Sequence, residues 1–139
     1  MVNVFLDSDV VISSLISNLG VAYQLINNKK IDCFISNISY QELLLVVKKL
    51  KIDDEKLKAI VKERFKIIKL SQSLRQIKSS YKNCVKDPND THIVAGAVES
   101  SVNFLVSYNI RHFEINKIKE KYNIRIMTPG TFLQFLRSK

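Results

Sequence analysis

The chain has 139 residues, 46% of them hydrophobic and 25% charged, with three glycines and two prolines; this profile fits one globular domain spanning 1–139 and excludes a fibrous or low-complexity chain. No run of about 18 apolar residues occurs, so no transmembrane helix and no membrane partner is expected, and an N-terminus that reaches an acid at position 7 offers no secretory signal, so the expected location is cytoplasmic. The net charge of +9 is concentrated, because thirteen basic against four acidic residues fall within 48–86, a distribution that serves either phosphate binding by counterion release or a merely solvated lysine-rich face.

The apolar run VNVFL at 2–6 reads as a buried strand that stops at Asp7. Residues 7–19 then carry Val11, Leu15 and Leu19 at four-residue spacing with Ile12 and Ile16 alongside, the mark of a helix. An Asp or Ser at its start suits an N-cap and Gly20 ends it. A short helix over 22–28 and a second strand over 31–35 follow. Residues 36–39 read as a turn, with Ser39 and Glu42 placed as a capping box for a strongly apolar helix over 43–50. Asp53 caps the next helix, whose inner face is Leu57, Ile60, Val61 and Phe65. Residues 67–70 read as a short strand or the tail of that helix, and 71–83 as weakly helical.

The segment DPND at 87–90 is a breaker and cap signal, since Pro is comfortable in a first helical turn. It opens the small-residue helix THIVAGAVESS over 91–101, able to lie close to a sheet. A third strand covers 103–106, a short basic helix 116–122 and a fourth strand 124–127. A last helix opens at Thr128-Pro129-Gly130 with Phe132, Phe135 and Leu136 inward. Strands alternating with helices imply a single-domain three-layer α/β/α sandwich around a mostly parallel sheet of four or five strands. The two cysteines, Cys33 and Cys84, lack CxxC spacing and read as buried or idle thiols.

In open parallel sheets, ligands bind beyond the carboxyl ends of the strands. Asp7 and Asp9 follow the first strand, Ser107 and Asn109 the third, Glu42 comes soon after the second, and Asp87 and Asp90 begin the helix leading to the third. Several carboxylates in one cleft repel each other unless a cation neutralises them, and hard divalent ions such as Mg²⁺ or Mn²⁺ take all-oxygen ligands of this kind. Each acid also has a plain reading: Asp7 and Asp87 as caps, Glu42 as half of a capping box, Asp90 as an acid favoured by its helix dipole, Asn109 as a turn residue. His92 and His112 lack metal-ligand spacing and read as structural or exposed, and Glu63 and Glu99 as solvated or packing positions.

Four segments, VFLDSDVVISSL, SYQELLLVV, DPNDTHIVAGAVES and FLVSYNIRHF, resemble in order those of PIN-domain ribonucleases, of the kind that serve as toxins in bacterial and archaeal toxin–antitoxin pairs. The resemblance spans 4–113. It implies a metal site of Asp7, Glu42, Asp90 and Asn109, with Ser107 as the hydroxyl residue common beside the last and Asp9 and Asp87 in secondary positions. It further implies hydrolysis of RNA phosphodiesters by in-line attack of water at one or two Mg²⁺ or Mn²⁺ ions. An antitoxin inserting a peptide with an Arg or Lys toward the carboxylates, and a homodimer, are implied as partners. Lys48, Lys49, Lys51 and Arg64, from the basic stretch, are the candidates to guide RNA. The chain departs from the family's usual pattern twice: Asp9 stands where many members have Asn, and Asn109 where many have Asp.

Two other readings remain open. The sequence DSDVV after a strand also fits a haloacid-dehalogenase-like phosphatase with Asp7 as nucleophile and Asp9 as acid/base, although the later acidic pair then precedes the strand-end Ser107, in reversed order. A catalytically weak or inactive module that binds nucleic acid or a partner is the other, supported by Asn109 and the basic stretch.

Overall fold

The computed structural model describes residues 1–138. In chain order its elements are β1 (Val2–Leu6), α1 (Ser8–Ile16), α2 (Val21–Ile26), β2 (Ile31–Ser36), α3 (Asn37–Lys49), α4 (Asp54–Arg64), β3 (Phe65–Ile68) and α5 (Leu74–Ser80). They continue with α6 (Thr91–Glu99), β4 (Phe104–Val106), α7 (Ile115–Tyr122), β5 (Arg125–Met127) and α8 (Pro129–Arg137), and single 3-10 turns lie at Lys82–Cys84, Pro88–Asp90 and Ile110–His112. The five strands form one sheet in the order β3-β2-β1-β4-β5, every neighbouring pair parallel. The three-layer α/β/α sandwich anticipated from the alternation of strands and helices is the fold observed.

A pleated strand sends successive side chains to opposite faces, and the short apolar runs use this to feed two cores. Val4 and Leu6 of β1, Cys33 and Ile35 of β2 and Val106 of β4 join Val10, Leu25, Leu43, Leu57 and Phe132, so that α1, α2, α3, α4 and α8 cover one face. Phe5, Phe34 and Leu105 point the other way, toward Ile77, Val94, Ala97 and Ile118 of α5, α6 and α7. The helix α6 lies very close to the sheet: a Cβ at Gly96 would collide with the ring of Phe5, which is fully buried.

Several local expectations need correction. Helix α1 ends at Ile16 rather than 19, because Ser17 turns extended and its Oγ accepts the Leu19 N–H at 3.2 Å; the side chain's local hydrogen bond competes with the helix, and Leu19, expected inward, is 86% exposed. Residues 37–39 are not a turn: Ser36 caps α3 by accepting the Ser39 N–H at 3.0 Å, so Ser39 lies inside the helix and Glu42 is not part of a capping box. Phe65 leaves helix α4 for extended geometry (φ −116°, ψ 146°) and begins the edge strand β3, pairing with Cys33. A capping box does occur in the weakly helical stretch, between Ser73 and Gln76 at the start of α5. Cys33 and Cys84 are free and buried, and burial pushes the Cys33 thiol up to about 12. No helix among the described residues is long and apolar enough to cross a membrane.

Candidate functional site

The strand order reverses between β1 and β4: the chain builds outward from β1 through β2 to β3, then returns to β1's other side for β4 and β5. Such a switch point leaves a crevice beyond the carboxyl ends of the two strands, and both strands end there in polar residues. Asp7 follows β1 and is the N-cap of α1, its Oδ1 accepting the Ser8 N–H at 2.7 Å. Its Oδ2 accepts the hydroxyl of Ser107, the fully buried residue after β4, at 2.8 Å.

Asp9, in the first turn of α1, is tied to the same loop. Its Oδ2 accepts the Tyr108 N–H at 3.1 Å and the Asn109 Nδ2–H at 2.9 Å, while the Asn109 N–H donates to Ser107 Oγ at 3.0 Å. Asp7, Asp9, Ser107 and Asn109 thus form one hydrogen-bonded cluster joining segments about a hundred residues apart in sequence. Asp9 and Asn109 face each other as a carboxylate–carboxamide pair.

Asp90 closes the 3-10 turn before α6 but makes no capping bond with its side chain. Its Oδ2 lies 3.7 Å from His112 Nδ1. Asp87 does cap, accepting the Asn89 N–H at 2.9 Å. Glu42, half-exposed on α3, places Oε1 3.0 Å from Nε2 of His92, the buried second residue of α6.

Burial raises the pKa of Asp7 above the ordinary carboxylate value, against the opposing pull of the Ser107 hydroxyl, the Ser8 N–H and the nearby His92 and His112. Asp9 is pushed up to about 6, first by burial and then by the charge of Asp7. Asp90 is raised by burial, then by Asp7 and Asp87, with His112 and His92 opposing. Asp7 is therefore felt by both other acids. Three buried polar atoms at this rim have no hydrogen-bond partner: Ser8 Oγ, Asp9 Oδ1 and His92 Nδ1. Uncompensated acids and an orphaned carboxylate oxygen fit the donor chemistry of a hard cation. Among the described residues, no three His, Cys, Asp or Glu side chains are gathered closely enough to form a ready-made metal cage; Glu42 is turned to His92 and Asp90 toward His112.

The basic candidates divide. Lys48 and Lys49 are exposed in the last turn of α3, roughly 10 Å along the helix from Glu42 at 1.5 Å per residue, and Lys51, also exposed, lies just past the helix end. Arg64 is not a free RNA contact: its Nε and Nη2 donate to the carbonyls of Ile26 (2.8 Å) and Asn28 (2.9 Å), fastening the end of α2 to α4. Sequence reasoning also missed His92 and His112, which both lie against site acids. Their one signal was position, two residues after Asp90 and three after Asn109, since neither has metal-ligand spacing.

The model of the PIN-domain family matches residues 3–111. Among solved structures, the chain resembles a toxin–antitoxin complex from Klebsiella pneumoniae at 20% identity, with a TM-score of 0.67, 91% of this chain and 97% of that chain covered. It also resembles VapBC-1 from nontypeable Haemophilus influenzae (17% identity, TM-score 0.62, 92% and 98% covered) and DNA-bound VapBC from Salmonella typhimurium (19%, 0.62, 93% and 99%). At these identities the likeness shows a common fold. A search of curated proteins finds no match.

Proposed function

The chain belongs to the PIN-domain family, and from that premise we propose that it is a divalent-metal-dependent ribonuclease acting as the toxin of a toxin–antitoxin pair. The observation that carries the reading is the hydrogen-bonded cluster of Asp7, Asp9, Ser107 and Asn109 at the β1–β4 rim, in which burial raises both acids and one Asp9 oxygen has no partner. A hard cation relieves such a group.

In this reading Asp7, Glu42 and Asp90 would hold Mg²⁺ or Mn²⁺, with Asn109 and Asp9 beside them, and the bound ion would supply positive charge against the acids and against the charge that develops on a phosphodiester. The chain's own residues set the geometry. Ser107 fixes Asp7 Oδ2 through its hydroxyl, and Ser8 fixes Oδ1 through its N–H. Asn109 spends its amide donor on Asp9, which leaves its side-chain oxygen as the atom able to orient water or join the ion. Asp90 makes no capping bond, and Asp87 takes the capping role instead. Lys48, Lys49 and Lys51 steer RNA from a distance.

The antitoxin of this reading brings a cationic side chain to the carboxylates. A groove of about 480 Å³ begins at Asp9 and runs over Ile12, Ser13, Ile16 and Val46, apolar enough for the flanking peptide. A cytoplasmic homodimer belongs to the same reading. The family match is to PIN domains, not to a haloacid-dehalogenase-like phosphatase.

The test is incubation of the purified chain with a mixed RNA pool and Mn²⁺, with and without a chelator. Cleavage that the chelator abolishes is the expected result. Salt-dependent RNA binding without metal-dependent cleavage overturns the nuclease and leaves a binding module.

A further inference from the structure

We propose that His92 is the positioning residue for Glu42, holding one oxygen of that carboxylate at the mouth of the cleft and leaving the other for a divalent cation. The inference rests on the metal-site reading above and deepens it. Glu42 sits half-exposed on α3, where its three rotatable bonds would otherwise spread the carboxylate through solvent, at a cost in side-chain entropy to whatever gathers it. Among the described residues its hydrogen-bonding partner is the imidazole of His92, 3.0 Å away across the α3–α6 contact. That imidazole is only 5% exposed, so its orientation is set by packing rather than by solvent. It also stands two residues past Asp90, in the first turn of α6.

The arrangement is costly for a purely structural tie. His92 Nδ1 is buried without a partner, and an apolar pair would join α3 to α6 without burying an unsatisfied polar atom. The cost has a chemical use. A ring N–H at Nε2 reaches Glu42 Oε1, and a buried, rigid imidazole holds that oxygen in one place. Partners of this kind behind metal-binding groups typically contribute 10–100-fold in metal affinity or activity.

The test compares two amide replacements of opposite reach. His92→Gln keeps an N–H donor near the position of Nε2, whereas the amide of His92→Asn stops short of it. Mn²⁺ binding is measured by titration calorimetry on the whole chain without RNA, alongside its melting temperature and its RNA cleavage. His92→Asn is expected to weaken Mn²⁺ binding about 10–100-fold, His92→Gln to stay close to wild type, and His92→Asn to cause no further loss when Glu42→Gln is already present. Unchanged Mn²⁺ affinity in His92→Asn, or an equal loss in the Glu42→Gln background, overturns the proposal and makes His92 a packing residue. A wild-type chain that binds no Mn²⁺ and cleaves no RNA overturns the site reading itself, and the proposal with it.

Discussion

Helices α1 and α4 open with the same chemistry and put it to different ends. Each has an Asp as N-cap, Asp7 accepting from Ser8 and Asp53 accepting from Glu55, and each has further acid in its first turn. At α4 the acids are in solvent and answered by a lysine: Lys58 lies 3.6 Å from Asp54 and 3.7 Å from Glu55, and all three side chains are about half-exposed or more. At α1 the acids are drawn under the β1–β4 rim, no lysine or arginine among the described residues pairs with them, and one Asp9 oxygen has no partner. A capping acid is therefore common to both helices, and what distinguishes a site is the acid whose charge the fold leaves uncompensated.

The largest test of this difference is Asp7→Asn. The amide keeps an oxygen for the Ser8 N–H, and Ser107 can accept where it now donates, so the fold survives. Cleavage of RNA should fall below detection while the metal-free melting temperature holds or rises, because a buried charge has been removed. Full cleavage by this variant would place Asp7 with Asp53, as a cap and nothing more.

Gly96→Ala comes next and tests why α1's acids are buried at all. Helix α6 presses on β1 at Phe5, two residues before Asp7. An added methyl group must push the helix off the sheet or displace a fully buried ring, and overpacking of this kind costs about 1–3 kcal/mol. Chemical denaturation should show that loss, with cleavage reduced because the rim carrying Asp7 and Asp90 is strained. A neutral result would mean that α6 is held less closely than its packing indicates.

The same contrast explains what was legible in the sequence. The strand VNVFL ending at Asp7 could be read directly, since a short apolar run and an acid are local facts, and the bounds of β1 coincide with it. The THIVAGAVESS helix was legible from its small residues, which Gly96 now explains. The pairing of Asp9 with Asn109 was not, because two residues a hundred positions apart show no mutual signal until β1 and β4 lie side by side. The start of α3 was misplaced by a few residues because Ser36 and Ser39 are equally good caps in isolation. That shift hid the contact of Glu42 with His92. Edge strand β3 was ambiguous because its exposed residues carry little hydrophobic pattern to separate strand from helix end.

A smaller effect is expected for Asp9→Asn, and it depends on pH. The Asp9 carboxyl titrates at about 6 in the folded chain against 3.8 for an unperturbed one. The folded acid thus holds its proton more tightly than the unfolded one, so the wild type loses stability as pH climbs from about 4 through about 6 and carries the full penalty above that. In metal-free protein, Asp9→Asn should melt above wild type at about pH 8, and the gap should shrink as the pH falls toward 4. Asn at this position still accepts from Tyr108 and Asn109, so the loop contacts do not confound the measurement. A gap that stays constant with pH would mean that Asp9 is as well compensated as the acids of α4.

The smallest effect is predicted for the other helix, with Lys58→Ala. Its ion pairs with Asp54 and Glu55 are long and solvent-exposed, and pairs of that kind gain little from attraction because water screens them and two mobile side chains must be held still. The variant should melt with wild type within measurement error at low and at high salt. A clear drop that salt abolishes would show that the α4 acids also depend on a neutralising partner, and the two helix starts would then differ only in whether the cation is a side chain or comes from solution.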